Sequence, residues 1–185
     1  MREVERKLDW SRVQMWPGEM PKEIERQLEA AGVKMERLKK SVYVIRLNGK
    51  FCIRYPKGDP SPVIYIGRGD FSTRVRHHRR FWLGELEDLV GDFCFDIRIA
   101  TPRVQNSPDA YKDCEAYMIR TFGDQFGSLP LWNKKKEPRT HLHYVYDFDE
   151  VMNELRTGSG KRYHWALEPL PSSGFHEVYH RTHTG

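Results

Sequence analysis

Glu115 occupies the position that most calls for chemistry. The stretch from Asp109 to Phe122 predicts a helix that ends at Gly123. Tyr111, Cys114, Met118 and Phe122 form its apolar stripe, and Glu115 falls inside that stripe. A carboxylate on a buried face is costly unless a cation pairs with it or a metal binds it. Two readings stand. One is a partly buried salt bridge to an arginine, or a place at the stripe's exposed edge. The other is a functional carboxylate.

The basic run Arg74-Val75-Arg76-His77-His78-Arg79-Arg80 is a second group. A charge run on a helix is usually a solvated face. Arg74 and His78, however, lie one helical turn apart beside an apolar stripe of Val75, Trp82, Leu86 and Leu89. Side chains there face a groove, which suits contacts to phosphate oxygens. Tyr43 and Tyr65 are a third group, in adjacent predicted strands. Packing is the ordinary role of a strand tyrosine.

These groups need elements to position them. Ser41 to Leu47 is β-branched and alternating, and Val63 to Gly67 reads the same way, so both predict strands. They are expected to pair as an antiparallel hairpin with a long, turn-rich excursion between them, which holds a short strand at Phe51 to Tyr55. The basic run lies on a helix with Ser72 as its N-cap, and Gly84 weakens that helix. Phe93 to Ala100 predicts a strand with Phe93, Phe95, Ile97 and Ile99 on one side and Asp96 and Arg98 on the other. Further helices are expected at Pro21, stopped by Gly32, and from Asp149 to Arg156.

Composition narrows the class. The chain has 185 residues, 38% hydrophobic and 31% charged, enough for one modest core. No apolar run reaches the roughly 18 residues of a membrane span, and the start shows no signal-peptide core. A cytoplasmic protein is expected, or a nuclear one if eukaryotic. Cys52, Cys94 and Cys114 are too scattered for a disulfide framework or a zinc site, and read as buried thiols. The net charge of +5 favours acidic partners, nucleic acid first.

In order, Val42-Tyr43-Val44-Ile45, Tyr65-Ile66-Gly67-Arg68, Arg74 with His78, Glu115 and Pro130-Leu131-Trp132-Asn133 resemble the motifs of the GIY-YIG nuclease family. The resemblance covers residues 41–133. The first motif reads Ser-Val-Tyr, and the long stretch between the tyrosines resembles that of restriction-type members. The resemblance implies an α/β (α+β) domain: a small, largely antiparallel three-stranded sheet flanked by helices, with the site on one face. Residues 1–40 are then a helical appendage, 41–135 the nuclease domain, and 136–185 an extension open to nucleic-acid contact.

It further implies metal-dependent cleavage of double-stranded DNA, of a restriction or mobile-element kind. Glu115 would bind one Mg²⁺ or Mn²⁺. Arg74 would clamp the phosphate, with Arg68, Arg76 and Lys134 as further substrate contacts. Tyr43 would be the base or water-positioner, with Tyr65 orienting water or phosphate. Arg68 would lower a tyrosine's pKa, His78 would be the alternative base or relay, and Asn133 would brace the site. The expected partner is DNA, and self-association into a homodimer stays open. A catalytically inactive binding module with the same fold, or an RNA nuclease, are the alternatives.

Other signals are weaker. His176-Glu177-Val178-Tyr179-His180 matches a zinc-protease pattern, with His183 the only further ligand after it, and reads as a chance match. Gly158-Ser159-Gly160-Lys161 lacks the upstream glycine and strand of a phosphate-binding loop. His141 and His143 read as surface positions of a strand. Lys134, Lys135, Lys136, Arg156, Lys161, Arg162, Tyr163 and Trp165 mix cations with aromatics. They fit either a nucleic-acid arm or a packed tail with solvated charges.

Overall fold

A computed structural model describes residues 4–19, 21–48, 50–90, 94–104, 107–158, 163–174 and 176–177, the side chains of Leu89 and Val90 excepted. In chain order the elements are β1 (Val4–Arg6), β2 (Trp10–Met15), α1 (Pro21–Ala30), a 3-10 turn (Met35–Lys40), β3 (Ser41–Leu47), β4 (Phe51–Ile53) and β5 (Val63–Gly69). Then come α2 (Phe71–His78), a π-helical segment (Arg79–Leu83), α3 (Gly84–Val90), β6 (Phe95–Ala100), α4 (Ala110–Phe126), β7 (Tyr144–Tyr146), α5 (Phe148–Leu155) and β8 (Trp165–Leu167).

The central sheet has the order β2-β6-β3-β5, with every neighbouring pair antiparallel. It therefore has four strands where three were expected. The fourth is β2, in the segment read as a helical appendage. Val13 and Met15 are buried there while Arg12 and Gln14 point outward, and pairing with β6 decides the conformation. The expected β3–β5 hairpin is present, with Tyr43 opposite Gly67 and Ile45 opposite Tyr65. Two parallel pairs, β1 with β7 and β4 with β8, tie the N-terminal segment and the excursion after Leu47 to the C-terminal third.

Several boundaries move for identifiable reasons. α2 is capped by Asp70, whose carboxylate accepts from Thr73 N at 3.2 Å, not by Ser72. α4 passes through Gly123 because Phe122 and Phe126, one turn apart, stack on each other and on Tyr55 in the core. Gly127, at φ 76°, ends it. The long helix also continues through Gly84. There an i→i+5 bond joins Gly84 N–H to Arg79 O, and a Cβ would sit 3.2 Å from that carbonyl, so a glycine fits. His141 and His143 lie in the turn before β7, not in a strand. All three cysteines are free and buried. Phe93, Ser159–Arg162, Val178–His180 and His183, with the motifs read on them, lie outside the described residues.

Asp96 and Arg98 do not face water. α5 covers that side of the sheet and brings Glu154 to 2.6 Å from Arg98 Nη1, while Asp96 bonds Arg98 Nε and Nη2 at 3.2 and 3.1 Å. Arg46, fully buried, donates to the carbonyls of Glu154 and Arg156 at 2.5 and 3.1 Å. Burial and nearby Arg98 lower its pKa to about 10. Among the described residues no helix is long and apolar enough to cross a membrane.

Candidate active site

A cleft of about 800 Å³ opens along β5, between α2 with its π-helical continuation and the Glu115 face of α4. Tyr65 and Arg68 have opposite parity on β5, yet both line it. They can because β5 is an edge strand, so the cleft collects side chains from both sides of the sheet rather than from one face. Arg74, His78 and Glu115 line it too.

Tyr43 lies one layer deeper and is fully buried. It packs against Tyr65 at 6.0 Å and Phe71 at 5.4 Å between ring centroids, and its Oη is 2.7 Å from His78 Nε2. Burial, with the neighbouring Tyr65, pushes its pKa above the ordinary tyrosine range; Arg74 opposes the shift only in part. The expected lowering by Arg68 is therefore not what this environment produces. Arg68 instead pairs with Glu115, Nη1 to Oε2 at 2.8 Å, and reaches Glu137 at 3.6 Å.

Gly67 explains how the tyrosines come together. A Cβ at this position would lie 2.6 Å from Tyr43 Cζ and Oη, and closer still to the ring of Tyr65. Both rings lean over a bare α-carbon. Gly67→Ala is expected to destabilise the fold by about 1–3 kcal/mol through overpacking and to displace Tyr65 from Arg74. Chemical denaturation checks it. A cost under about 0.5 kcal/mol would show that the rings are not held there.

Arg74 Nη2 donates to Tyr65 Oη at 3.3 Å, so this cation sits at the cleft with a phenol as its anchor. His78 is buried, and its pKa falls to about 3, first from burial and then from Arg74 and His77 nearby. It is a neutral imidazole at ordinary pH.

Glu115 is 6% exposed, which joins the two sequence readings: it is salt-bridged and it lines the cleft. Its pKa rises to about 7. Burial is the main cause and Glu137 adds to it, while Arg68, Arg74 and Lys135 pull the other way. Oε2 is buried and is held by the Arg68 guanidinium at 2.8 Å, so a cation would have to take the place of that arginine. A cleft-lining carboxylate is the donor type a hard cation takes, since Mg²⁺-type sites use one or two carboxylates and several waters. Among the described residues no group of three or more His, Cys, Asp or Glu side chains gathers to hold a metal.

The remaining expected contacts divide. Asn133 is buried and clamps β5 with two bonds, Ile66 N to Oδ1 at 2.9 Å and Nδ2 to Ile66 O at 2.7 Å, so it braces rather than reaching outward. Lys134 is exposed on the cleft rim. Arg76 points elsewhere and pairs with Glu25 at 3.4 Å. Sequence reasoning missed Phe81 and Glu137 on the lining, and had His77 only within the basic run, Trp132 only within the last motif and Lys135 only as part of a possible nucleic-acid arm. The sequence singled out Trp82 only as a core residue. Glu137 carried no signal beyond its nearness to the lysine run.

Fold and cleft together define an α+β protein with a four-stranded antiparallel sheet and a cationic, tyrosine-lined cleft at its edge. No family model matches the chain, and neither a curated protein nor a solved structure does.

Proposed function

We propose that the chain is a divalent-metal-dependent endonuclease that hydrolyses phosphodiester bonds of double-stranded DNA. The observation that carries this reading is the convergence of Glu115, Arg68, Arg74 and Tyr65 on one cleft. A buried, cleft-lining carboxylate set among cations suits a metal and a phosphate together once Arg68 turns to the backbone. The order of the motifs resembling GIY-YIG nucleases supports it.

Glu115 would hold Mg²⁺ or Mn²⁺, which when bound offsets charge on the scissile phosphate and the leaving 3′ oxygen. Arg74, already anchored on Tyr65, clamps a phosphate oxygen. Arg68 leaves its pairing with Glu115 to meet the backbone, and Lys134 and Lys135 meet flanking phosphates at the rim. Tyr65, at the cleft surface, orients the attacking water. Tyr43 works from beneath by holding Tyr65 and Arg74 in place. Asn133 fixes the β5 backbone.

One observation favours a rival. Arg68 already neutralises Glu115, as it would in a binding module without a metal. The two readings separate on incubation of the protein with supercoiled plasmid and with duplex RNA, in Mg²⁺ and in Mn²⁺. Nicked or linear plasmid is the expected product. Retention of DNA without cleavage in both metals, across many sequences, would establish the binding module. Cleavage of RNA alone would move the substrate class.

A further inference from the structure

Trp82 lines the cleft wall, 6% exposed, stacked on Trp132 with ring centroids 4.7 Å apart. Its indole Nε1 lies 3.0 Å from His78 Nδ1. The opposite nitrogen of the same imidazole, Nε2, lies 2.7 Å from Tyr43 Oη. An indole N–H donates and never accepts. His78 Nδ1 must therefore present its lone pair to Trp82. A doubly protonated ring would set two donors against each other, and a flipped ring would replace both nitrogens by carbons and lose both bonds. The one proton of the neutral imidazole is then on Nε2.

We propose that Trp82 is a positioning residue that locks His78 in its Nε2–H tautomer, making His78 a hydrogen-bond donor to Tyr43 and not an acceptor of its proton. The consequence for the site is directional. Tyr43 Oη receives the Nε2–H bond, so its own proton points away from His78. His78 holds no free lone pair with which to relay it. The π-helical segment serves this arrangement. It begins at the residue after His78, carries Trp82, and turns on Gly84, where only a small residue meets the Arg79 carbonyl comfortably. A cluster of aromatic rings, Tyr65 at 4.5 Å and Trp82 at 5.3 Å from the imidazole, keeps the ring from rotating. The catalytic meaning of this lock rests on the nuclease reading, but the tautomer itself does not.

The test is ¹H–¹⁵N long-range correlation spectroscopy at pH 7 on the ¹⁵N-labelled protein, without metal or DNA. His78 is assigned by comparison with His78→Gln. In wild type, Nδ1 should show the shift of an unprotonated nitrogen and Nε2 that of a protonated one. Trp82→Phe keeps an aromatic ring against Trp132 and removes the N–H together with the indole's second ring. In that variant the two shifts should move toward each other as the second tautomer becomes populated. A wild-type protein with the proton on Nδ1, or a Trp82→Phe spectrum unchanged from wild type, overturns the proposal. If the variant fails to fold, the wild-type spectrum alone decides the tautomer. Because no substrate is present, a protein that never cuts DNA leaves this result standing.

Discussion

Glu115→Gln is expected to leave a protein that no longer cuts plasmid yet resists denaturation better than wild type at pH 8. The two halves of this result have one cause. The carboxyl is buried deeply enough to raise its pKa from the ordinary carboxyl range to about 7. A carboxyl with a raised pKa favours the native state below its unfolded pKa, and that contribution is lost as pH rises through the native one. At pH 8 wild type therefore holds a charge that it would fold more easily without. Glutamine imitates the protonated form and removes that cost, worth at most on the order of 3 kcal/mol. Arg68 loses a partner, but it is 29% exposed and can be hydrated. Cleavage would fall to background because the amide cannot hold the cation with a charge. Arg74→Ala should lower cleavage by roughly 10²–10³-fold while DNA retention weakens less. Should Glu115→Gln be less stable than wild type at pH 8, Glu115 is a structural ion-pair residue. Should both variants cut normally, the site has been misassigned.

Glu154→Ala should be the most damaging change in the molecule, costing about 3–5 kcal/mol. Glu154 is 4% exposed and bonds Arg98, itself 6% exposed, at 2.6 Å. Arg12 reaches its other oxygen at 3.4 Å. Its removal leaves Asp96 as the single carboxylate, among the described residues, paired with the two buried guanidiniums of Arg46 and Arg98. Breaking one side of a buried pair strands the other charge, whereas removing both sides is far milder. The double variant Glu154→Met with Arg98→Met should accordingly recover much of the loss. Urea denaturation of the three variants measures this. A single variant within about 1 kcal/mol of wild type would show that water reaches Arg98 and satisfies it.

The legible parts of the fold were those whose signal is local. β3 and β5 alternate cleanly and pair as expected, and α1 has proline at its start and glycine beyond its end. The fourth strand was not legible, because Trp10–Met15 is short, has Val13 as its single β-branched residue and takes its conformation from β6, far along the chain. Asp113 shows the same limit. It is fully buried on α4, where nothing in the pattern marks it. Arg139, the amides of Thr140 and His141, and Tyr146 all converge on it from the C-terminal third. In the cleft, helical spacing was enough to bring Arg74 and His78 together with each other, and an apolar stripe was enough to single out Glu115. Depth was not readable. Tyr43 and Tyr65 look alike in sequence, and only the packing over Gly67 puts one beneath the other. Arg76 shares the basic run with Arg74 but points to Glu25, since two residues along a helix turn a side chain well away.

The pairing of the N-terminal segment with the C-terminal third has a kinetic meaning. β1 joins β7, and Leu8 N–H bonds the Glu150 carboxylate across 142 positions of sequence. Contacts this remote lengthen the search for the native state, since loop closure precedes the reward for it. The middle of the sheet depends on the same late arrival. Arg46 and Arg98 have Asp96 at hand on the sheet, but they meet the Glu154 carbonyl and carboxylate only when α5 docks. On an emerging chain the strands that carry the tyrosines are therefore present well before the support behind them. A nascent fragment that stops short of α5 has the residues of the site without the platform behind the sheet that holds them.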